Sequence, residues 1–268
     1  MESCRRIRKI LQTGKTKIIV MKGSSSSGSV PGADGLLLRG SGKSIRDLKG
    51  KTVLLVENSV SHYLLSRALE WGLLDEQDVT IKHVSDTEIA DAFLSGQGDA
   101  VITWNPILSE IQRKAQVSMV FTSNRIPGEI LDLTVVNSQT LAQHPEFGRA
   151  LTGAWFETQR LLGLPTAAGR AARAQMAAAA GTSAEDFEDQ LGTLRSFYSP
   201  RSALNFARTG KMPDLMRRVA HFADAHALLG KRGQGLTNLG IEFSGEKTIG
   251  NPQRVLLRFN HAYMQLAA

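Results

Sequence analysis

The chain has 268 residues, 42% of them hydrophobic, and a formal net charge of +7 at pH 7. That length and apolar content suffice to bury a substantial core, in one large domain or in two small lobes. The charge is uneven, because residues 1–50 hold 11 Lys and Arg against 3 Asp and Glu, which leaves 21 against 22 in the rest. Nucleic-acid binding needs a clustered basic face, and here the cluster is confined to the N-terminal leader, so we expect no nucleic-acid partner.

The cysteine content and the hydropathy of the sequence exclude further classes of protein and of site. The single cysteine, Cys4, allows no internal disulfide and no cysteine-based metal site. The apolar run after the basic start is too short for a secretory signal, and nowhere do about 20 apolar residues run together as a membrane span requires. With no recognisable signal, the chain as written is expected to stay in the cytoplasm.

The first ordered elements are expected after a basic leader. Residues 1–31 combine Lys and Arg with a Gly/Ser stretch, GSSSSGSVPG at residues 23–32, and are predicted to be disordered or poorly packed. GADGLLLRG then predicts a short strand, and SIRDLKGKTVLLVE predicts a capped helical turn followed by a buried strand.

Residues 52–106 read as consecutive strand-helix units. The helix after Ser59 or Ser61 has Tyr63, Leu64, Ala68 and Leu69 near helical spacing, and VTIKHV, TEIADAFLSG and DAVIT continue the alternation. Pro106 suits the first turn of another helix. Strands that single helices connect are expected to pair in parallel.

The C-terminal half is predicted to be mostly helical. Two strands, VSMVFTS and ILDLTVVNS, precede five helices between residues 144 and 230, each with Pro or Ser at its start and Gly at its end. Gly, Asn and Thr interrupt every pattern between residues 231 and 250, and the final VLLRFNHAYMQLAA fits either a strand or a helix.

The motif search predicts no catalytic residue, cofactor or metal site. RGSGKS at residues 39–44 lacks the first glycine of a phosphate-binding loop, where Leu37 stands, and no G-x-S-x-G nucleophile motif occurs. His221 and His226 are five residues apart and do not share a helical face as metal ligands would. Ser59 or Ser61 beside His62 is the one imaginable nucleophile-base pair, and adjacent residues at a helix start usually point apart.

Polar and aromatic residues instead gather where the predicted parallel strands end. Such an edge binds ligands in open α/β sheets, because helix N-termini there leave N–H groups unpaired. A structural reading of the same residues makes Ser59 a helix cap, Trp104 part of the core and Asp132 a turn former. Their convergence favours a polar ligand cleft with an aromatic wall, formed by Glu57, Asn58, Ser59, Ser61, His62, Trp104, Asn105 and Asp132.

The segments SVSHYLL and TWNP, with GADGLLLRG before them and PGEILDLTVV after them, resemble the solute-binding proteins of ABC importers. The similarity is to the nitrate/sulfonate/taurine-like branch and, within it, to proteins that occur beside urea carboxylase genes. The resemblance implies a noncatalytic, two-lobed type 2 periplasmic binding protein: an α/β fold with parallel-rich sheets, a helical C-terminal half and solute held between the lobes. It also implies a periplasmic location, a membrane permease as partner and a monomeric state.

The resemblance starts at about residue 32, so the basic leader stands where the family has a signal peptide and its opening strand-helix units. The implied organisation is a leader and linker at 1–31, a second α/β lobe at 45–125, and hinge strands with the rest of the first lobe at 32–44 and 126–268. GADGLLLRG and ILDLTVVN would be the two hinge crossings. We therefore expect a truncated or frame-shifted chain with an incomplete first lobe.

The predicted site favours a neutral or cationic nitrogen compound. A sulfonate or nitrate site usually uses Arg or Lys, and neither occurs in NSVSH, TWNP or ILDL. Asp34, Glu57, Asn58, Asn105 and Asp132 could instead accept hydrogen bonds from urea, an amide or a guanidinium, with Trp104 on its flat face.

Three alternatives remain open on the sequence. One is a thiamin-pyrimidine-precursor-type binding protein or enzyme of the same fold, although such proteins usually carry His or Cys clusters that are missing here. Another is a ligand-sensing regulator domain, for which the leader is too short to supply a helix-turn-helix segment. The third is a non-functional truncated product.

Overall fold

A computed structural model describes the backbone of residues 16–24 and residues 32–230, 232–245 and 247–268. The described residues divide into two compact units. Unit A comprises 16–23, 131–187 and 196–268, apart from the gaps, and unit B comprises 24, 32–130 and 188–195. The predicted disorder of residues 1–15 and of the linker at 25–31 lies outside the described residues.

Unit B contains a mixed five-stranded sheet in the order β4-β3-β5-β2-β6. β3 pairs in parallel with β4 and with β5, as the strand-helix alternation predicts, whereas β2 pairs antiparallel with β5 and β6. The strands are β2 (Asp34–Arg39), β3 (Thr52–Leu55), β4 (Thr80–His83), β5 (Ala100–Trp104) and β6 (Val117–Thr122).

Helices pack on this sheet because its central strands are apolar on both faces. Val53, Leu54 and Leu55 are each 0% exposed, the continuous apolar pattern of a strand covered on two sides. Leu54 belongs to a core cluster with Phe93 and Val101, and Arg39 lies 4.3 Å from the centre of the Phe93 ring. The helices of this unit are α1 (Val60–Gly72), α2 (Ile89–Leu94) and α3 (Ile107–Lys114).

Unit A contains the second sheet, in the order β7-β1-β10-β8-β9. β10 pairs in parallel with β1 and β8, and β8 forms an antiparallel hairpin with β9. Gly245, with a φ of 96°, stands in the hairpin turn, where a side chain would be strained. The strands are β1 (Thr16–Ser24), β7 (Ile130–Asn137), β8 (Gly240–Phe243), β9 (Lys247–Gly250) and β10 (Val255–Phe259).

The five predicted helices of the C-terminal half are all present. The helices of the described part are α4 (Ser138–Gln143), α5 (Pro145–Gly163), α6 (Ala167–Ala179), α7 (Ala184–Gly192), α8 (Pro200–Ala207), α9 (Met212–Ala225) and α10 (Ala262–Ala267). α5, α8, α9 and α10 contribute to a buried cluster that includes Phe156, Leu204, Leu215, Ile241 and Met264. None of the described helices is long and apolar enough to cross a membrane.

One expectation differs from the structure. The prediction of a disordered leader is wrong for Thr16–Ser24, which forms β1 between β7 and β10; strand pairing outweighs the basic composition there. β2, in the segment 32–44 that the resemblance assigns to the hinge, lies inside the sheet of unit B with the Leu36–Leu38 side chains buried. Its role as a hinge crossing stays a prediction. The last segment, predicted as strand or helix, forms both β10 and α10.

The core of unit B predicts a strong dependence on Leu54. Leu54→Ala should lower the free energy of unfolding by about 2 to 5 kcal/mol, the range for deleting a buried leucine side chain. Leu73→Ala, which removes the same atoms from a side chain that is 85% exposed, is the matched control and should cost under about 0.5 kcal/mol. Urea unfolding measures both; equal losses would contradict the assignment of Leu54 to the core.

Candidate functional site

The predicted ligand residues of unit B lie at one edge of its sheet. The parallel strands β3, β4 and β5 end there at Leu55, His83 and Trp104, and the antiparallel β2 begins there at Asp34. We call the residues at this end the carboxyl edge: Asp34, residues 56–62, His83, Trp104, Asn105 and Ser123. The structure therefore brings together every predicted site residue that belongs to unit B.

Ser59 is the N-cap of α1. Its hydroxyl oxygen accepts a hydrogen bond from the Ser61 N–H at 3.1 Å and donates one to the Val56 carbonyl at 2.6 Å. The structural reading of Ser59 as a cap is confirmed. Because its hydrogen points to Val56, Ser59 does not form the imagined nucleophile-base pair with His62.

His62 braces the turn before α1. Its ring is buried, and Nδ1 accepts a hydrogen bond from the Asn58 N–H at 3.2 Å. The ring hydrogen is then on Nε2, which lies 3.3 Å from a Glu76 carboxylate oxygen. Asn58 itself has a φ of 58°, a left-handed conformation that Asn tolerates better than most residues.

A second histidine, which the sequence did not single out, holds the same turn from the next strand. The Glu57 N–H donates to His83 Nδ1 at 3.1 Å, and the Glu57 side chain is exposed. Ser61, in the first turn of α1, is 2% exposed. The turn thus presents Glu57 to solvent and keeps Ser61 and His62 inside.

Asp34 and Trp104 are direct cross-strand partners. They are opposite each other in the antiparallel register of β2 and β5, so their side chains project from the same face of the sheet. Asp34 is 9% exposed and its N–H donates to the Ser123 hydroxyl at 3.4 Å, while Trp104 is half-buried. A buried carboxylate thus stands beside a partly open indole.

Asn105 is engaged within the protein. Its side-chain oxygen accepts hydrogen bonds from the Ser109 N–H at 3.2 Å and the Ser109 hydroxyl at 2.7 Å, and its amide donates to Thr193 Oγ1 at 3.4 Å. The two bonds from Ser109 tie the Asn105 side chain to the first turn of α3. A ligand that used the Asn105 oxygen would compete with Ser109.

Asp132 lies in β7 of unit A and is exposed. Its predicted contact with the ligand stays a prediction.

A cluster beside α1 was missed by sequence reasoning. Glu129 accepts from the Tyr63 hydroxyl at 2.7 Å and from Arg67 Nε at 2.8 Å, and Arg67 also pairs with Glu70. The side chains of Arg67 and Glu129 are 12% and 16% exposed. Tyr63 and Arg67 are four residues apart on one helical face, which is a readable signal, but their partner is more than 60 residues away in sequence.

Two acidic residues lie at the carboxyl edge. Asp34 and Glu57 lie there, whereas Arg67, the nearby cation of α1, is paired with Glu129 and Glu70. The edge therefore offers hydrogen-bond acceptors and a flat aromatic surface, which suit N–H donors of a small ligand.

Sequence comparisons with known proteins match part of the chain. The family profile described as NMT1/THI5 like matches residues 38–158, less than half of the chain. A Brucella abortus protein named as a candidate binding protein is 26% identical over 137 residues, which are 50% of this chain and 41% of that protein. The chain thus spans about two fifths of the length of the curated relatives it matches.

Solved structures cover more of the chain. The periplasmic aliphatic sulphonate binding protein SsuA from Escherichia coli superposes with a TM-score of 0.65 at 17% identity, covering 92% of this chain and 76% of SsuA. The ligand binding component of an ABC-type import system from Staphylococcus aureus superposes with a TM-score of 0.62 at 9% identity, covering 98% of this chain and 79% of that protein. The desulfurization enzyme DSZB superposes with a TM-score of 0.53 at 17% identity, covering 83% of this chain and 77% of DSZB. The chain has the α/β fold of the periplasmic binding proteins.

The cap at Ser59 predicts a modest stability effect. Ser59→Ala should lower the free energy of unfolding by about 1 kcal/mol, the usual value of an N-cap, whereas Ser59→Asn should retain most of it. Guanidinium unfolding compares the two variants. Equal free energies of unfolding in the two variants would contradict the capping role of Ser59.

The Glu129 cluster predicts a larger effect than a surface ion pair. Glu129→Gln should cost about 1.5 to 3 kcal/mol of unfolding free energy, because partly buried Arg67 and Tyr63 lose a charged acceptor. Glu110→Gln, which breaks the exposed pair with Lys114, is the control and should cost under about 0.5 kcal/mol. Equal costs in thermal and urea unfolding would show that the Glu129 cluster is no stronger than a surface pair.

Proposed function

We propose that the chain is a solute-binding component of an ABC importer and that it binds a small nitrogen compound, such as urea, an amide or a guanidinium, at the carboxyl edge of unit B. The protein is noncatalytic and monomeric in this proposal. Its partner is a membrane permease, and its place of action is the periplasm.

The observation that carries the proposal is the pairing of Asp34 with Trp104. A carboxylate accepts N–H hydrogen bonds, and an indole face binds a flat, delocalised cation or a planar amide. Since the two side chains project from one face of the sheet, a planar ligand can contact both at once. Glu57 adds a second acceptor at the same edge.

The importer role rests on the fold and on the names of the compared proteins. SsuA of Escherichia coli is named for sulphonate binding, and the Staphylococcus aureus protein is named as part of an ABC-type importer. DSZB has a related fold and is an enzyme. The engagement of the Ser59 hydroxyl as a cap removes one of the two candidate nucleophiles, Ser59 and Ser61, which favours binding over catalysis.

A sulfonate is the second candidate ligand, and the N-terminus of α1 favours it. Its first turn contains no acidic residue, and helix N-termini attract anions. Asp34 and Glu57 would repel that anion, so we rank the nitrogen compound first.

Calorimetric titration with guanidinium, urea and ethanesulfonate tests the proposal. Guanidinium should bind. Asp34→Asn should weaken the binding free energy of guanidinium by about 1.5 to 3 kcal/mol, the range for hydrogen bonds to a charged group. Trp104→Ala should weaken it by about 0.5 to 2 kcal/mol through the lost ring face. Asp91 is an exposed acid of α2, and the control variant Asp91→Asn should leave the affinity for guanidinium unchanged.

Two results would contradict this account. Binding of ethanesulfonate in preference to guanidinium and urea would reverse the predicted ligand class. Unchanged guanidinium affinity in both Asp34→Asn and Trp104→Ala would place the site elsewhere.

A further inference from the structure

Unit A contains a pocket at the carboxyl end of its own sheet. β8 and β10 run in parallel and end at Phe243 and Phe259, which both line it. The pocket measures about 350 Å³, within the usual range of small-ligand sites. Its other walls come from the connection between α8 and α9, from the β8-β9 turn and from the start of α10.

The inner wall of the pocket is apolar and aromatic. The rings of Phe243 and Phe259 stack with centres 5.0 Å apart and an angle of 10° between their planes. Both are nearly fully buried, as is Met212 on the adjoining wall. This surface is suited to a flat hydrocarbon group.

The polar groups of the pocket are positive or neutral. Arg208 and Lys247 are exposed lining residues, and neither forms an ion pair with another described residue. No Asp or Glu occurs among the described residues that line the pocket. An anion in the pocket would supply a countercharge that the described lining residues do not provide.

His261 supplies a third group. It is 8% exposed, lines the pocket, and its ring makes no hydrogen bond to the described part of the chain. Its backbone is fixed, since the His261 N–H donates to the Ser244 hydroxyl, which in turn donates to the Phe259 carbonyl. Burial, and then the positive charge of Arg208, lower the pKa of His261, so its ring is neutral at pH 7 and has one N–H to donate.

We propose that this pocket is a second binding site, for a small organic anion with a flat apolar body, such as an aromatic carboxylate. The carboxylate is held by Arg208, Lys247 and the His261 N–H, and the ring lies along Phe243, Phe259 and Met212. The proposal is independent of the carboxyl edge of unit B, because every lining residue belongs to unit A.

Titration of the full chain with benzoate, benzamide and acetate tests this site. Benzoate should bind at least about tenfold more tightly than benzamide, which has the same ring without the charge, and than acetate, which has the charge without the ring. Arg208→Gln and Lys247→Gln should each lower the affinity for benzoate about tenfold, which corresponds to the smaller end of the range for a charged hydrogen bond. Arg201→Gln, which removes an exposed charge from the first turn of α8, is the matched control and should bind benzoate as the unmodified chain does.

Three results would overturn the proposal: no benzoate binding, equal affinity for benzoate and benzamide, or the same loss in Arg201→Gln as in the two pocket variants. A His261→Gln variant gives a second measurement. Benzoate should shift one histidine ring resonance in the NMR spectrum of the unmodified chain, and that resonance should be missing in His261→Gln. A shift confined to other histidines would place benzoate elsewhere.

Discussion

The antiparallel insertion of β2 between β5 and β6 is the constraint on which the candidate site depends. The other helix-connected strands of unit B run in parallel, so their carboxyl ends lie together at one edge. Because β2 runs the opposite way, its first residue, Asp34, reaches that same edge and stands across from Trp104. A parallel β2 would have placed Asp34 at the opposite end of the sheet.

Much of the fold could be predicted from the sequence. Hydrophobic runs bounded by turns predicted β3 to β7, and Pro or Ser starts with Gly stops predicted α5 to α9. β8 and β9 could not be predicted, since they are four-residue strands whose pattern is broken by Gly and Thr, and their stability comes from pairing with each other and with β10. β1 was missed because its basic composition hides a strand that only its neighbours in the sheet stabilise.

The candidate site was predictable in position but only partly in detail. Strand ends and helix starts predicted seven residues at the sheet edge where the structure has them, and the search for hydrogen-bond acceptors added Asp34. That these residues bind a ligand stays a prediction. What each polar atom does depends on partners distant in sequence or on local geometry: Ser59 bonds to its own turn, Asn105 accepts hydrogen bonds from Ser109 in α3, and His83 accepts one from the Glu57 N–H. Glu57 is exposed and Trp104 is half-buried, so these side chains can reach a ligand, and Asp34 lies directly opposite Trp104.

A crystal structure of the chain grown with guanidinium tests the central claim most directly. The account predicts a planar cation within hydrogen-bonding distance of the Asp34 carboxylate and stacked on the Trp104 indole. Guanidinium bound elsewhere, with the Asp34 and Trp104 side chains in contact only with protein and water, would contradict it.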